Sequence, residues 1–428
     1  MSFHSFYLFD VRPGTREHME AEASCTILPD CQHLCKGKTV RIRKITDSSK
    51  LKIAMFGHKR VPSCDGGIEV VVEELSSRMA AKGHKVVLYN RKSHPASGTN
   101  IGTEKLSEYK GAVLKEVFTI DKAGFAAVSS SFFAALKCVF GRYDVVHVHA
   151  EGPAAMCWLL KLFGKKVIVT VHGLDWQRAK WGGFASRYIR FGEKMSAKYA
   201  DRIIVLSNSA RQYFRDTYNV DAVFLPNAVE KPILRPADRT TAQWGLRKND
   251  YILFLGRLVP EKGIRYLIEA FKNVKTEKKL VIAGGASDKE EFAASLKKLA
   301  QGDKRIIFTG FVQGELKDEL YSNAYVYTLP SDLEGMPLSL LEAMSYGNCC
   351  LTSDIDACRE VVEDQAVVFR KSDISDLRKK LQLLCDEPRT VEKYRKDAAA
   401  FILSKYNWDD ITDRTLSLYR SVLRENQR

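Results

Sequence analysis

Two glutamates, Glu334 and Glu342, stand with seven residues between them in the stretch Ser331 to Leu351, SDLEGMPLSLLEAMSYGNCCL. Carboxylates accept hydrogen bonds from hydroxyl groups, and a helix N-terminus beside them offers unpaired N–H groups and a positive dipole end to an anion. Together they suit hydroxyls next to a phosphate, as in a sugar phosphate. Two such glutamates can equally be a capping carboxylate and part of a solvated helix face. The missing cations come from a second stretch, Phe254 to Gly263, FLGRLVPEKG, which supplies Arg257 and Lys262. Arginine brings a planar bidentate fork and lysine a mobile point charge, so the two serve a phosphate differently.

These side chains need elements to hold them. An apolar run ending in Thr328-Leu329-Pro330 predicts a buried strand, Glu334-Gly335-Met336-Pro337 a tight turn, and Leu338 to Tyr346 a helix stopped by Gly347. Glu334 then lies in the loop and Glu342 in the helix. The second stretch repeats the plan of strand, Gly-flanked loop and helix. Strands are expected at Tyr251 to Leu255, Lys279 to Ala283, Arg305 to Phe308, Ala324 to Leu329, Cys349 to Leu351 and Ala366 to Phe369, with helices between them. That alternation predicts a parallel doubly wound sheet.

The N-terminal half repeats the theme. Leu51 to Phe56, LKIAMF, predicts a strand, followed by a loop and a helix from about Ile68 to Lys82. Gly66 and Gly67 before that helix let backbone approach a diphosphate closely. The pattern is not GxGxxG, which argues against a dinucleotide enzyme. A strand from Tyr143 to His149 aims His147 and His149 to one side at period two, a pair suited to a metal or to a cleft edge. The strand expected at Lys166 to Val171 delivers His172 and Asp175 to its C-terminal end, where open parallel sheets bind ligands.

In this order the motifs resemble those of the family-4 glycosyltransferases of the GT-B fold, from Leu51 nearly to the end of the chain. The resemblance implies an α/β molecule of two Rossmann-like doubly wound domains facing each other across a cleft. The N-terminal, acceptor-side domain would take residues 51–230 together with a returning C-terminal helix, 408–428, and the nucleotide-sugar domain residues 231–407. Pro232 and Pro236 fit a linker at that boundary. The implied reaction is a retaining transfer from a nucleotide-diphosphate sugar. His172 would lie beside the donor sugar, Arg257 and Lys262 on the diphosphate, Glu334 on sugar hydroxyls and Glu342 on the ribose. Gly285, Phe311 and Val312 would meet the base, with Gly335, Met336, Pro337, Leu338 and Asp175 completing the donor site. Fixed cations at the leaving group remove the need for a divalent metal, so no cofactor is expected. No general base is named.

The opening KIAMFGHKR-PS-DGGIE and HGLDWQRAKWG, His172 to Gly182, further resemble a subgroup that builds bacterial surface polysaccharides, capsule or O-antigen, and includes rhamnosyltransferases. That implies L-rhamnose from dTDP-rhamnose. A Glu342 that reads two ribose hydroxyls suits UDP or GDP instead, so a UDP-hexose or UDP-N-acetylhexosamine donor stays open. From another class, a sugar-nucleotide 2-epimerase shares the fold, and a non-catalytic scaffold would keep only the binding of nucleotide sugar or anionic lipid.

At 428 residues, 45% hydrophobic and 28% charged, the composition is that of a soluble two-domain protein with a tail. No apolar stretch reaches membrane-spanning length and no secretory leader is read at the N-terminus. Ten cysteines without a pairing pattern read as reduced thiols, so the cytosol is the expected compartment. Net charge is +15, and residues 51–230 hold 26 Lys and Arg against 16 Asp and Glu. A basic half suits a polyprenyl-diphosphate-linked glycan acceptor at an anionic membrane surface, and no nucleic-acid module accompanies the charge. Phe125 to Phe140 reads as either a membrane-docking helix or a core helix. Residues 1–50 carry Cys25, Cys31, His33 and Cys35, which fit no familiar zinc finger, and read as a flexible extension.

Overall fold

The structure, a computed structural model, describes residues 46–63, 66–92, 106–120, 122, 124–177, 182–285 and 290–425. The expectations for Cys25, Cys31, His33 and Cys35 lie outside the described residues. Among the described residues fourteen strands form two sheets. The first contains β1 (Lys52–Phe56), β2 (Lys85–Arg91), β3 (Glu108–Tyr109), β4 (Ala112–Val117), β5 (Val145–His149), β6 (Val167–Val171), β7 (Arg202–Val205) and β8 (Val223–Phe224), in the order β3-β4-β2-β1-β5-β6-β7-β8. The second contains β9 (Tyr251–Leu255), β10 (Lys279–Ala283), β11 (Ile306–Gly310), β12 (Val326–Leu329), β13 (Cys350–Ser353) and β14 (Val367–Phe369), in the order β11-β10-β9-β12-β13-β14. Every pairing is parallel except β3 with β4.

Parallel strands are covered on both faces, which is why they read as unbroken apolar runs such as YILFL and VIVTV. Alternation along β1 shows the two layers. Ile53 and Met55 pack with Val72, Met79 and Tyr419 on one side, whereas Ala54 and Phe56 pack with Ala135, Cys138 and Leu160 on the other. Helices Gly67–Ala81 and Trp408–Glu425 thus cover one face, and Phe125–Phe140 and Cys157–Leu162 the other. The last helix belongs to the first sheet's layers. It is tied there by Tyr419 Oη to His147 Nδ1 at 2.6 Å, Lys82 to Asp413 at 2.7 Å, and an Arg202–Glu425 ion pair.

Among the parallel strands the order reverses at β1/β5 in the first sheet and at β9/β12 in the second. Loops leaving neighbouring strands diverge there and open a crevice at the carboxyl ends, where doubly wound sheets take ligands. The chain crosses between the two sheets twice, and the crossings lie side by side. Val229 N–H donates to the Tyr406 carbonyl at 3.1 Å, and Val229 bridges Asn407.

β3, β4 and β8 have little strand signal of their own in the sequence. β3 and β8 are two-residue edge strands, and β4 carries Lys115 and Glu116 within its run. Helix Phe125–Phe140 buries one face in the core and leaves the other exposed. Ala134, Ala135 and Cys138 are core, while Phe125, Phe132 and Phe140 are exposed. Among the described residues no helix is long and apolar enough to cross a membrane.

Candidate active site

The crevice of the second sheet lies between the loops that follow β9 and β12. After β9 the chain passes Arg257, turns through Pro260–Lys262 and enters helix Ile264–Phe271 at Gly263. Gly263 has φ +65°, and a Cβ there would overlap the Pro330 carbonyl oxygen, so the loops after the two strands close on each other only with glycine. This places Lys262 Nζ 2.6 Å from Glu334 Oε1, which also accepts the Ser331 hydroxyl at 2.6 Å. The lysine and glutamate side chains are 14% and 11% exposed, so the pair is largely desolvated. Arg257 is partly exposed, and its guanidinium makes no hydrogen bond or ion pair among the described residues. The loop after β9 therefore carries one paired and one unpaired cation, and the loop after the adjacent strand β12 supplies the carboxylate of the pair.

Glu342 lies on helix Leu338–Ser345, which starts after Pro337 and ends where Gly347, at φ +76°, breaks the helical path. Its two oxygens have separate partners, Lys317 Nζ at 3.0 Å and the Tyr321 hydroxyl at 3.1 Å. A freely solvated glutamate is thereby excluded. Gly285 follows β10, and its carbonyl accepts the Leu258 N–H at 3.1 Å. Phe311 and Val312 follow β11, the first exposed and the second buried. These loops all leave the same edge of the sheet.

In the first sheet β5 and β6 bring three histidines together. His149 Nδ1 is 3.1 Å from His172 Nε2, and the His147 and His149 rings lie 4.1 Å apart. His147 is completely buried between the Thr170 hydroxyl at 2.7 Å and that of Tyr419. It is thus a core residue beneath the last helix, not a cleft-edge group. Burial pushes its pKa down to about 3, and His149 is held well below the usual imidazole value by burial and its histidine neighbours. Both are neutral at physiological pH. Among the described residues no cluster of His, Cys, Asp and Glu could hold a metal.

Asp175 opens the turn Asp175–Gln177, and its N–H donates to Glu151 at 2.8 Å. Behind that turn Glu151 and Glu193 are both fully buried. Glu193 accepts the Trp176 indole N–H at 3.1 Å and the hydroxyls of Tyr213 at 2.8 Å and Tyr218 at 2.5 Å. Burial and the neighbouring Glu193 carboxylate hold the Glu151 carboxyl far above the ordinary carboxylate range, so it keeps its proton. Gly66 is extended and Gly67 begins helix Gly67–Ala81 after the β1 loop.

The two halves meet edge to edge. A Cβ on Gly335 would overlap the His172 carbonyl oxygen, and one on Gly67 would come within 3.3 Å of a Leu338 methyl group. Asn227, in the first crossing, donates its side-chain amide to the Met336 carbonyl at 3.2 Å and its N–H to the Met336 sulfur at 3.1 Å. His172, Gly67, Gly335, Met336 and Leu338 therefore form one contact zone, with Lys262 and Glu334 beside it. Asp175 follows three residues after His172. Gly285, Phe311 and Val312 occupy the loops after β10 and β11, one and two strands further along the sheet from β9. Lys317, Tyr321, Ser331 and Asn227 have no role in the sequence reading. Only Lys317 and Tyr321 leave a trace there, as a polar pair four apart on one helix face.

Residues 65–231 match the family described as Glycosyltransferase Family 4, and residues 238–401 the family described as Glycosyl transferases group 1. The chain is 27% identical over 369 residues to a phosphatidyl-myo-inositol mannosyltransferase of Mycobacterium leprae, covering 83% of this chain and 93% of the relative. It is also 27% identical over 299 residues to an Escherichia coli UDP-Gal:alpha-D-GlcNAc-diphosphoundecaprenol alpha-1,3-galactosyltransferase, covering 65% of this chain and 75% of the relative. The solved sucrose-phosphate synthase of Thermosynechococcus elongatus superposes with a TM-score of 0.76 at 21% identity, covering 88% of this chain and all of the other, and shares its fold. These names carry mannosyl and galactosyl transfer, so the narrower expectation of rhamnosyl transfer finds no support in them. With one transferase family matched on each sheet's domain and full-length relatives of the same kind, the chain belongs to the family-4 glycosyltransferases of the GT-B fold.

Proposed function

We propose that this glycosyltransferase moves a sugar, with retention of configuration, from a nucleoside diphosphate to a lipid-linked glycan of a surface polysaccharide. The observation that carries the reading is the Lys262–Glu334 pair, held 2.6 Å apart at the β9/β12 crevice, with Arg257 on the same loop after β9. Departure of the diphosphate builds negative charge on oxygen, and preorganised cations in a desolvated site stabilise it strongly. Lys262 and the Arg257 fork supply those cations, so the reading needs no divalent metal. Glu334 takes hydroxyls of the donor sugar, and Glu342, already positioned by Lys317 and Tyr321, takes those of the ribose. His172 borders the sugar from the opposite half. The departing phosphate takes the acceptor's proton.

Two donors are in play. The HGLDWQRAKWG segment supports dTDP-rhamnose. The UDP-Gal in the name of the E. coli relative, and a glutamate placed to read two ribose hydroxyls, support a UDP-hexose or UDP-N-acetylhexosamine. Lipid-linked acceptance rests on the diphosphoundecaprenol in that same name and on the basic N-terminal half. Calorimetric titration of the purified chain with dTDP, UDP and GDP, then with their sugars, separates these. Tightest binding of dTDP, with added affinity from dTDP-rhamnose, is expected for the first donor and tightest binding of UDP for the second. Absence of binding by all three removes the transferase reading of this site.

A further inference from the structure

The face of the first sheet covered by helices Phe125–Phe140, Cys157–Leu162 and Gly183–Tyr199 has an unusual outer surface. The first helix packs on the second and the second on the third, so they form one layer. Large apolar side chains point away from the core on all three: Phe132 and Phe140 (78% exposed), Trp158 and Leu162 (71%), Phe184 (85%) and Phe191. An exposed apolar patch of this extent usually marks an interaction site. The charge around it is one-sided. The three helices carry one acidic residue between them, Glu193, and it is fully buried under Trp176, Tyr213 and Tyr218. Their cations are exposed, and Lys137, Arg187 and Lys194 have no ion-pair partner among the described residues.

We infer that this three-helix face docks on an anionic lipid bilayer, with its aromatic and aliphatic side chains entering the interfacial region and its lysines and arginines over the headgroups. Apolar residues ringed by unpaired cations are the physical requirement for binding in the plane of a membrane interface. A second copy of this chain fits worse. A two-fold dimer would press the same patch against itself and bring like charges together. The inference rests on the lipid-linked acceptor reading for its biological sense, but its physics is independent of which donor is used.

The test is flotation of the full chain with vesicles of phosphatidylcholine alone and with one third phosphatidylglycerol, at low and high salt. Flotation with the anionic vesicles only, weakened by salt, is expected. The double variants Phe140→Ser with Leu162→Ser, and Lys137→Glu with Lys194→Glu, should each weaken partitioning about tenfold or more. All four positions are exposed, so the thermal melt and nucleoside-diphosphate titration of both variants should match the parent. No flotation, equal flotation with neutral vesicles, or a dimer in sedimentation that either double variant dissociates would overturn the docking face. If vesicles bind the chain but no nucleoside diphosphate does, the donor reading falls and the docking face stands.

Discussion

At the scale of single residues, the site depends on one largely desolvated ion pair, Lys262 with Glu334. Removing one partner of a largely desolvated pair leaves the other charge without compensation, which costs more than the pair itself contributes. Lys262→Ala strands Glu334 and, on the proposed role of this lysine, also withdraws a cation from the departing diphosphate. Loss of one such electrostatic contact in a transition state costs about 2.7–4 kcal/mol. We expect kcat/KM to fall by about a hundredfold or more, measured with the donor that titration selects, and an unchanged value would remove Lys262 from the diphosphate. Lys262→Arg should recover only part of the loss, because a planar fork does not reproduce a point charge held by Glu334 in a confined space. The pairing of two residues 72 apart was within reach of the sequence, because both lie just beyond strands of one parallel sheet. The partners of Glu342 were not. Lys317 and Tyr321 form no motif, and only the packing of helix Glu315–Asn323 against helix Leu338–Ser345 brings them near.

At the scale of elements, the loops after β6 and β12 touch through a glycine. A methyl group on Gly335 collides with the His172 carbonyl oxygen, and that contact lies between the two halves, outside either core. Gly335→Ala should thus hold the halves apart by part of an ångström while leaving each folded. Misplacement of reacting groups by about 1 Å can cost on the order of a hundredfold in rate. The expected result is a fall in kcat/KM of at least about tenfold with a thermal melt close to the parent, and retention of full activity would show that the contact is dispensable. Elements with uninterrupted apolar runs, such as β9 and β10, were legible to the residue because burial on both faces leaves no other composition. β3, β4 and β8 were not, since short or outlying strands take their conformation from a neighbour more than from their own side chains.

At the scale of the whole molecule, buried histidines set the response to acid. The pKa of His147 is pushed down to about 3, and those of His58 and His84 to about 4, in each case chiefly by burial. An unfolded chain takes up protons at these groups below about pH 6.5, while the fold refuses them until near pH 4 or lower. Stability should therefore be unaffected by these groups above pH 6.5 and decline as pH falls below it. Denaturant unfolding across that window would check this, with His147→Asn reducing the slope by about one proton even if it lowers stability throughout. Charge shows a related limit of reading from sequence. Composition assigns residues 51–230 a net +10, counting Glu151 and Glu193 as surface acids, yet both are buried and Glu151 keeps its proton. The exterior is more basic than the chain's formula states.

The adjacent crossings at Val229 and Tyr406 carry one more consequence. Everything between them is a guest, and everything outside them, including the final helix, is the host. A guest whose entrance and exit leave the host one hydrogen bond apart can be exchanged for another of different length without rerouting the host chain. Replacement of the second sheet's domain then needs only two neighbouring seams, while the first sheet's body keeps its topology.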